Sequence, residues 1–342
     1  MQDQKDKNFP VGRVLLTLGG AALTSALTAA LAWANYSRRA IPHHMALPQA
    51  VSGERREING RAGRLSYYVA GEGAPLLLIH TVNAAASAYK IRPLFEHYRQ
   101  HRRVYAPDMP GFGFSDRSAR DYTPRLYTDA IVDMLDQIAS DLGPQPIDAL
   151  AVSLGCEFLT RAASEHPERF RSLALVSPTG FDRRRKRSGE PGDVMGNPGL
   201  RDFLNFPLWS RPLFDLLNSR PSASYFLKKT FGSYEAIDQG LLEYDYLTSH
   251  QPDAQNAPYA FVSGTLFSAD IKRIYEALEL PVWLAYGICG QFNDFSGVGL
   301  IQGRPNWTVT VFATGALPYF DQTDTFTMLY DRFLEMQKQA HT

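Results

Sequence analysis

The sequence predicts an α/β protein: a mostly parallel sheet flanked by helices, split by a helical cap and preceded by a membrane-spanning helix. Three observations predict it. Short apolar runs alternate with amphipathic stretches along residues 54–180 and again along 269–342. Repeated strand–helix units of that kind make a parallel sheet with helices on both faces. Between these blocks, residues 181–268 are rich in aromatics and proline and carry no strand rhythm. Ahead of them, no charged residue occurs from Val14 to Ser37.

A chain of 342 residues is long enough for one large domain with an insertion. Its 35 Lys and Arg balance 35 Asp and Glu, so no net charge points to nucleic acid. Two cysteines, Cys156 and Cys289, are too few for a disulfide scaffold and carry no zinc pattern. They read as small apolar side chains. No metal or cofactor is expected.

Residues 1–13 form a polar tail, and 14–37 match the ~20 apolar residues that cross a bilayer core. Trp33 and Tyr36 fall where interfacial aromatics belong, and Arg38 and Arg39 close the span. The reading is an uncleaved, single-pass membrane anchor. The alternative is a signal peptide cut at Ala32-Trp33-Ala34, leaving a secreted protein, but signal cores run only ~7–15 residues. Basic residues flank both ends, which leaves the membrane side open. Residues 38–53 read as a linker in which Pro42 and Pro48 oppose a continuous helix.

The first core block, 54–180, starts with two strands over 54–70, joined at Asn59-Gly60. Pro75 to His80 is a continuous, nearly all-apolar run, as a strand buried on both faces requires. A helical pattern follows through Tyr89, Leu94 and Tyr98, then a strand from Arg103 to Asp108. Residues 123–142 form an amphipathic helix with Ile131, Met134, Leu135 and Ile138 on one face. Strand 146–152, helix 154–165 and strand 170–176 complete the block. After the cap come helix 269–278, strands 281–286 and 307–312, and helix 324–338. An insertion between such units lies over the strands' carboxyl ends, where these folds bind ligands.

The strand 146–152 runs straight into a helix, and Ser153 stands at the turn between Ala151 and Gly155. That is a nucleophile elbow: the tight turn lifts the hydroxyl clear, and small flanking residues let helix and strand approach.

With His80 after an apolar strand, Asp108-Met-Pro-Gly-Phe-Gly-Phe-Ser115 about thirty residues on, and the Ser153 elbow beyond, the chain from about 54 to 338 resembles the α/β-hydrolase superfamily. The resemblance implies ester or acyl chemistry, in which a serine attacks a carbonyl, a histidine takes its proton and an acid orients that histidine. Ser153 matches the nucleophile. The backbone N–H groups of Val82 and Leu154 match the oxyanion donors. Thr81 stands where a glycine is usual, and His80 and Thr81 border the binding site, His80 bracing the loop. The acid position after the seventh strand is Gly290, and the nearest carboxylate is Asp294. The histidine position after the last strand is Ala316, and no histidine lies between His250 and His341. Substitute bases are His250 in the cap, His80 or Asp294. His97, His101 and His166 fall on helices away from the elbow.

Alanine takes no proton, and loss of a triad histidine costs on the order of a million-fold in kcat. The expectation is a membrane-anchored pseudoenzyme that keeps Ser153 and binds an apolar or acyl ligand, or a protein partner. The alternative is an active serine esterase or acyltransferase with a nonstandard base. Arg183 to Arg187, at the entry to the cap, reads as a solvated loop or as a site for anionic headgroups. Cap residues such as Phe203, Phe206, Leu208 and Trp209 suit packing on the sheet, an apolar ligand or a bilayer.

Overall fold

The structure, a computed structural model, describes residues 28–182, 189–291 and 294–340. Its strands are β1 (Glu54–Gly60), β2 (Gly63–Ala70), β3 (Pro75–Ile79), β4 (Arg103–Pro107), β5 (Ile147–Val152), β6 (Phe170–Val176), β7 (Val282–Gly287) and β8 (Trp307–Phe312). They form one eight-stranded sheet in the order β1-β2-β4-β3-β5-β6-β7-β8. β2 runs antiparallel to both neighbours, and every pair from β4 to β8 is parallel. β3, β5 and β7 are buried along their whole length, as apolar runs in a covered parallel sheet should be.

The first hairpin turns later than its Asn-Gly pair predicts. Gly60 pairs with Gly63, so Arg61 and Ala62 make the turn and Asn59 stays in β1. Asp133 explains the shift: it accepts the Ala62 N–H at 2.9 Å and Arg61 Nη1 at 2.8 Å. A tertiary contact has overridden the local turn preference.

Helix α1 spans residues 28–40 of the described chain. On one face of the sheet lie α3 (Pro124–Leu142), α4 (Gly155–Glu165) and α10 (Ile271–Ala277), sharing an apolar core with the strands. On the other lie α2 (Arg92–Tyr98) and α12 (Thr323–Ala340), with the short α11 (Pro318–Asp321) before it. α3 starts where Thr123 accepts the Leu126 N–H at 3.2 Å, carries Pro124 in its first turn, and stops at Gly143. The insertion between β6 and β7 holds α5 (Pro198–Leu204), α6 (Ser210–Leu217), α7 (Arg220–Phe231), α8 (Gln239–Ser249) and α9 (Asn256–Val262). Leu204, Phe214, Ala254 and Tyr259 give it a small core of its own.

The segment before β1 is a strap along the cap that begins inside the expected membrane span, whose residues 28–37 form a helix bonded to the cap, and continues through the expected linker, 38–53. Trp33 Nε1 donates to the Pro212 carbonyl at 2.7 Å, Ser37 Oγ to Asp215 at 2.5 Å and Arg38 Nη2 to the Leu208 carbonyl at 2.7 Å. Further on, Gln251 donates to the Met45 carbonyl and Tyr244 to the Pro48 carbonyl, both at 2.8 Å. Among the described residues no helix is long and apolar enough to cross a membrane. Residues 14–27 of the expected span, and Arg183 to Arg187, lie outside the described residues.

Candidate active site

Ser153 is partly exposed, with φ of 54°, the left-handed conformation that a nucleophile elbow imposes on a non-glycine residue. Its N–H donates to the Val176 carbonyl at 2.8 Å, and its own carbonyl accepts the Cys156 N–H at 3.1 Å. Those bonds tie the turn to the end of β6 and to the start of α4. A Cβ on Gly155 would lie 2.7 Å from the His80 carbonyl, so only glycine lets α4 pass so close to the loop after β3. The glycine two residues after the serine therefore has a steric cause here.

Val82 and Leu154 are both fully buried beside the turn-forming loops. Among the described hydrogen bonds neither backbone N–H has a protein acceptor, which is how donors held for an incoming oxygen stand. His80 has both ring nitrogens committed. Nε2 accepts the Met109 N–H at 2.9 Å, so Nδ1 carries the proton and donates to the Thr81 carbonyl. Burial pushes its pKa down to about 4. It is a neutral brace between the loops after β3 and β4, with no lone pair left to take a proton. Asp108 braces the same region by accepting the N–H groups of Ala88 at 2.8 Å and Phe114 at 2.9 Å.

The loops after β7 and β8 stand where the resemblance implies an acid and a base. They are zipped to each other: Ile288 N–H donates to the Phe312 carbonyl at 3.0 Å and Cys289 N–H to the Thr314 carbonyl at 2.7 Å. A Cβ on Gly287 would lie 1.9 Å from the Gly315 carbonyl oxygen. The carboxyl end of the cap helix α7 closes on both. Ala316 N–H donates to the Thr230 carbonyl at 2.7 Å, and Gln291 N–H to the Lys229 carbonyl at 3.0 Å. Phe231 is buried there and stands edge-on to Phe320 at 5.7 Å.

The two remaining substitute candidates, Asp294 and His250, have other partners. Asp294 Oδ1 accepts the Ser296 N–H at 3.1 Å and the Ser296 hydroxyl at 2.6 Å, a local turn. His250 Nδ1 bonds the Tyr246 carbonyl at 2.7 Å, and its ring stacks on His43 of the strap at 6.2 Å. Burial lowers its pKa. Cys156 is buried with Sγ directed at the Ala151 carbonyl, Cys289 is exposed, and both are free thiols.

Glu157 is the residue near the site that the sequence did not signal. It lies in the first turn of α4 and is fully buried. Thr179, just after β6, donates its hydroxyl to one carboxylate oxygen; Ser268 N–H, at the far end of the cap, donates to the other at 2.8 Å. One side chain thus ties both roots of the cap to the helix that carries Ser153. An acid in a first helical turn is ordinary, which is why its position alone says nothing.

Comparison with known proteins agrees with this layout. A family model described as alpha/beta hydrolase fold matches residues 74–219. The solved structure of a membrane phospholipase A, a bacterial virulence factor, aligns with a TM-score of 0.63 at 18% identity, covering 97% of this chain and 99% of that one. The chain is an α/β-hydrolase-fold protein. A probable hydrolytic enzyme from Pseudomonas aeruginosa PAO1 aligns with a TM-score of 0.67 at 17% identity, covering 86% of this chain and 99% of that one. At such identities the likeness is one of fold. In sequence, the α/β-hydrolase-fold chain is 33% identical over 127 residues to a 2-hydroxymuconate semialdehyde hydrolase of Pseudomonas sp. (strain CF600), covering 36% of this chain and 44% of the relative. It is 26% identical over 294 residues to the 1-acylglycerol-3-phosphate O-acyltransferase ABHD5 of Sus scrofa, covering 78% of each. The match to the first of these relatives thus spans less than half of its length.

Proposed function

We propose that this chain is a membrane-anchored α/β-hydrolase-fold protein that keeps its nucleophile elbow but does not run triad hydrolysis, and that it binds an apolar or acyl ligand, or a protein partner. One observation carries the reading: the residue at the base position, in the loop after β8, is Ala316, and its N–H ties that loop to Thr230 of the cap at 2.7 Å. With no proton acceptor at 316 and none at 290, a loss on the order of a million-fold in kcat is the expected consequence. The kept strain at Ser153 and the unpaired N–H groups of Val82 and Leu154 suit a site that still receives an acyl oxygen.

The membrane part of the reading rests on the charge-free stretch from Val14 to Ser37, of which residues 14–27 precede the part of α1 that Trp33 and Ser37 bond to α6. The cap exposes Phe203, Phe206, Leu208 and Leu216, apolar surface suited to a bilayer. Membrane fractionation and the mass of the mature chain test this part; a chain beginning near Asn35 would refute it.

The second reading, a serine esterase or acyltransferase with a nonstandard base, is favoured by the intact elbow and by relatives named as a hydrolase and an acyltransferase. A fluorophosphonate probe separates the two. The pseudoenzyme reading expects no stoichiometric labelling of the full-length chain. Labelling that disappears in Ser153→Ala would overturn it.

A further inference from the structure

Away from the elbow, three side chains stand together with the chemistry of a metal site. His97 lies in α2, His101 in the turn just after it, and Asp331 in α12. One ring nitrogen from each histidine and one carboxylate oxygen all lie within 4.8 Å of one another. The i, i+4 spacing puts two side chains on one helical face. The turn keeps that face: Arg99 N–H bonds the Phe95 carbonyl at 3.0 Å and His101 N–H the Tyr98 carbonyl at 3.1 Å.

A second observation is independent of the spacing. His97 Nε2 is buried and has no hydrogen-bond partner. The nearest carboxylate oxygen, on Asp331, is 3.8 Å away, beyond hydrogen-bond range. A buried ring nitrogen left unpaired beside a carboxylate calls for a partner between them. The His97 imidazole is held by packing: it stands edge-on to Tyr98 at 4.8 Å and to His101 at 5.4 Å. A recess of about 620 Å³ opens beside His97 and Asp331, lined also by Asp324, Glu335 and the Arg332 side chain, and it leaves room for water on an ion.

We propose that His97, His101 and Asp331 bind a divalent transition-metal ion of the zinc type, with water completing the shell. Two imidazoles and a carboxylate suit zinc, whereas calcium and magnesium take oxygen ligands. Ligand atoms about 2.1 Å from a tetrahedral ion stand roughly 3.4 Å apart, so the ion requires a contraction that exposed His101 supplies by rotating. α2 and α12 already meet through the Tyr98 hydroxyl and the Thr327 carbonyl at 3.5 Å. The ion pins the carboxyl-terminal helix onto the core, and the inference does not depend on whether Ser153 reacts.

Calorimetric titration of the full-length, untagged chain with zinc chloride, and the visible spectrum with cobalt(II), test the site. The expected result is one zinc per chain at micromolar Kd, with tetrahedral-type cobalt bands. His101→Ala and Asp331→Asn are each expected to weaken zinc by about tenfold or more and to remove the bands. His101 is exposed, so the metal-free melting temperature of His101→Ala should move by about 1 °C or less; Asp331 is half-buried beside Tyr98, so zinc binding by Asp331→Asn is compared with that variant's own metal-free melting temperature. No binding below about 1 mM, or equally tight binding in both variants, would overturn the proposal, since the ion is then absent or held elsewhere.

Discussion

The backbone N–H of Ala316 donates to the carbonyl of Thr230 at 2.7 Å. The bond joins the loop after the last strand to the end of cap helix α7. Gly315 is part of the same fit, because a Cβ there would lie 2.3 Å from the Thr230 oxygen. The cap therefore closes on the two loops after β7 and β8, and a histidine introduced at 316 would enter a loop already tied to the cap.

Grafting the histidine tests that directly. In Ala316→His the imidazole enters a loop fixed by Thr230, with no acid at Gly290 to orient it. Hydrolysis of p-nitrophenyl acetate by the variant is expected to rise less than about tenfold over wild type, against the on-the-order-of-million-fold worth of a working triad histidine. Gly290→Asp is expected to cost about 1–3 kcal/mol of stability, because φ there is 147°. A rate increase above about a thousandfold in the single variant would mean that the loop already holds catalytic geometry.

Glu157 is expected to be the strongest single tether of the cap. Glu157→Ala leaves the Ser268 N–H and the Thr179 hydroxyl without their acceptor, and should cost about 3 kcal/mol in urea unfolding. Glu157→Gln keeps one acceptor oxygen and should cost less. Equal stability of both variants with wild type would show that the two cap roots are held by other contacts.

The sheet was legible because each strand announces itself locally. Pro75–Ile79, Ile147–Val152 and Val282–Gly287 are short apolar runs, and all three are buried strands within a residue or so of where periodicity puts them. The Ser153 turn was legible for the same reason, since a strand, a serine and a glycine are adjacent in sequence. What escaped was long-range. Nothing local to Trp33 announces the Pro212 carbonyl, and nothing near Ala316 announces Thr230. The hairpin turn was misplaced by two residues because Asp133, on a distant helix, binds Arg61 and Ala62. Periodicity reports which face is apolar; it carries no information on which polar groups meet across the fold.

Asp215 is the fastening of the strap. It is buried, accepts Ser37 Oγ at 2.5 Å and pairs with His43 Nε2 at 2.9 Å. Arg211 Nε lies 2.9 Å from its other oxygen, close enough to pair by charge though not aligned to donate. Asp215→Ala should release residues 38–53 to limited trypsin digestion and cost about 3 kcal/mol, because Arg211 loses its buried counter-charge. Unchanged cleavage kinetics would mean that Trp33 and Arg38 hold the strap without it.

His80 gives the fold a pH dependence whose sign is fixed by its environment. An exposed histidine titrates at about 6.5; burial lowers His80 to about 4. Above pH about 6.5 both folded and unfolded states hold it neutral, and the linkage is silent. As pH falls below that value the unfolded chain takes up a proton that the folded chain refuses, so stability declines until pH about 4, where the folded state protonates too. The interval corresponds to about 3 kcal/mol for this one fully buried group. His80→Gln should flatten that slope, while costing stability at neutral pH through the Met109 N–H and Thr81 carbonyl it no longer bridges in the same geometry. Urea unfolding at half-unit steps from pH 4 to 7 measures both. An identical slope in the variant would show that another group, not the brace beneath the elbow, carries the acid sensitivity.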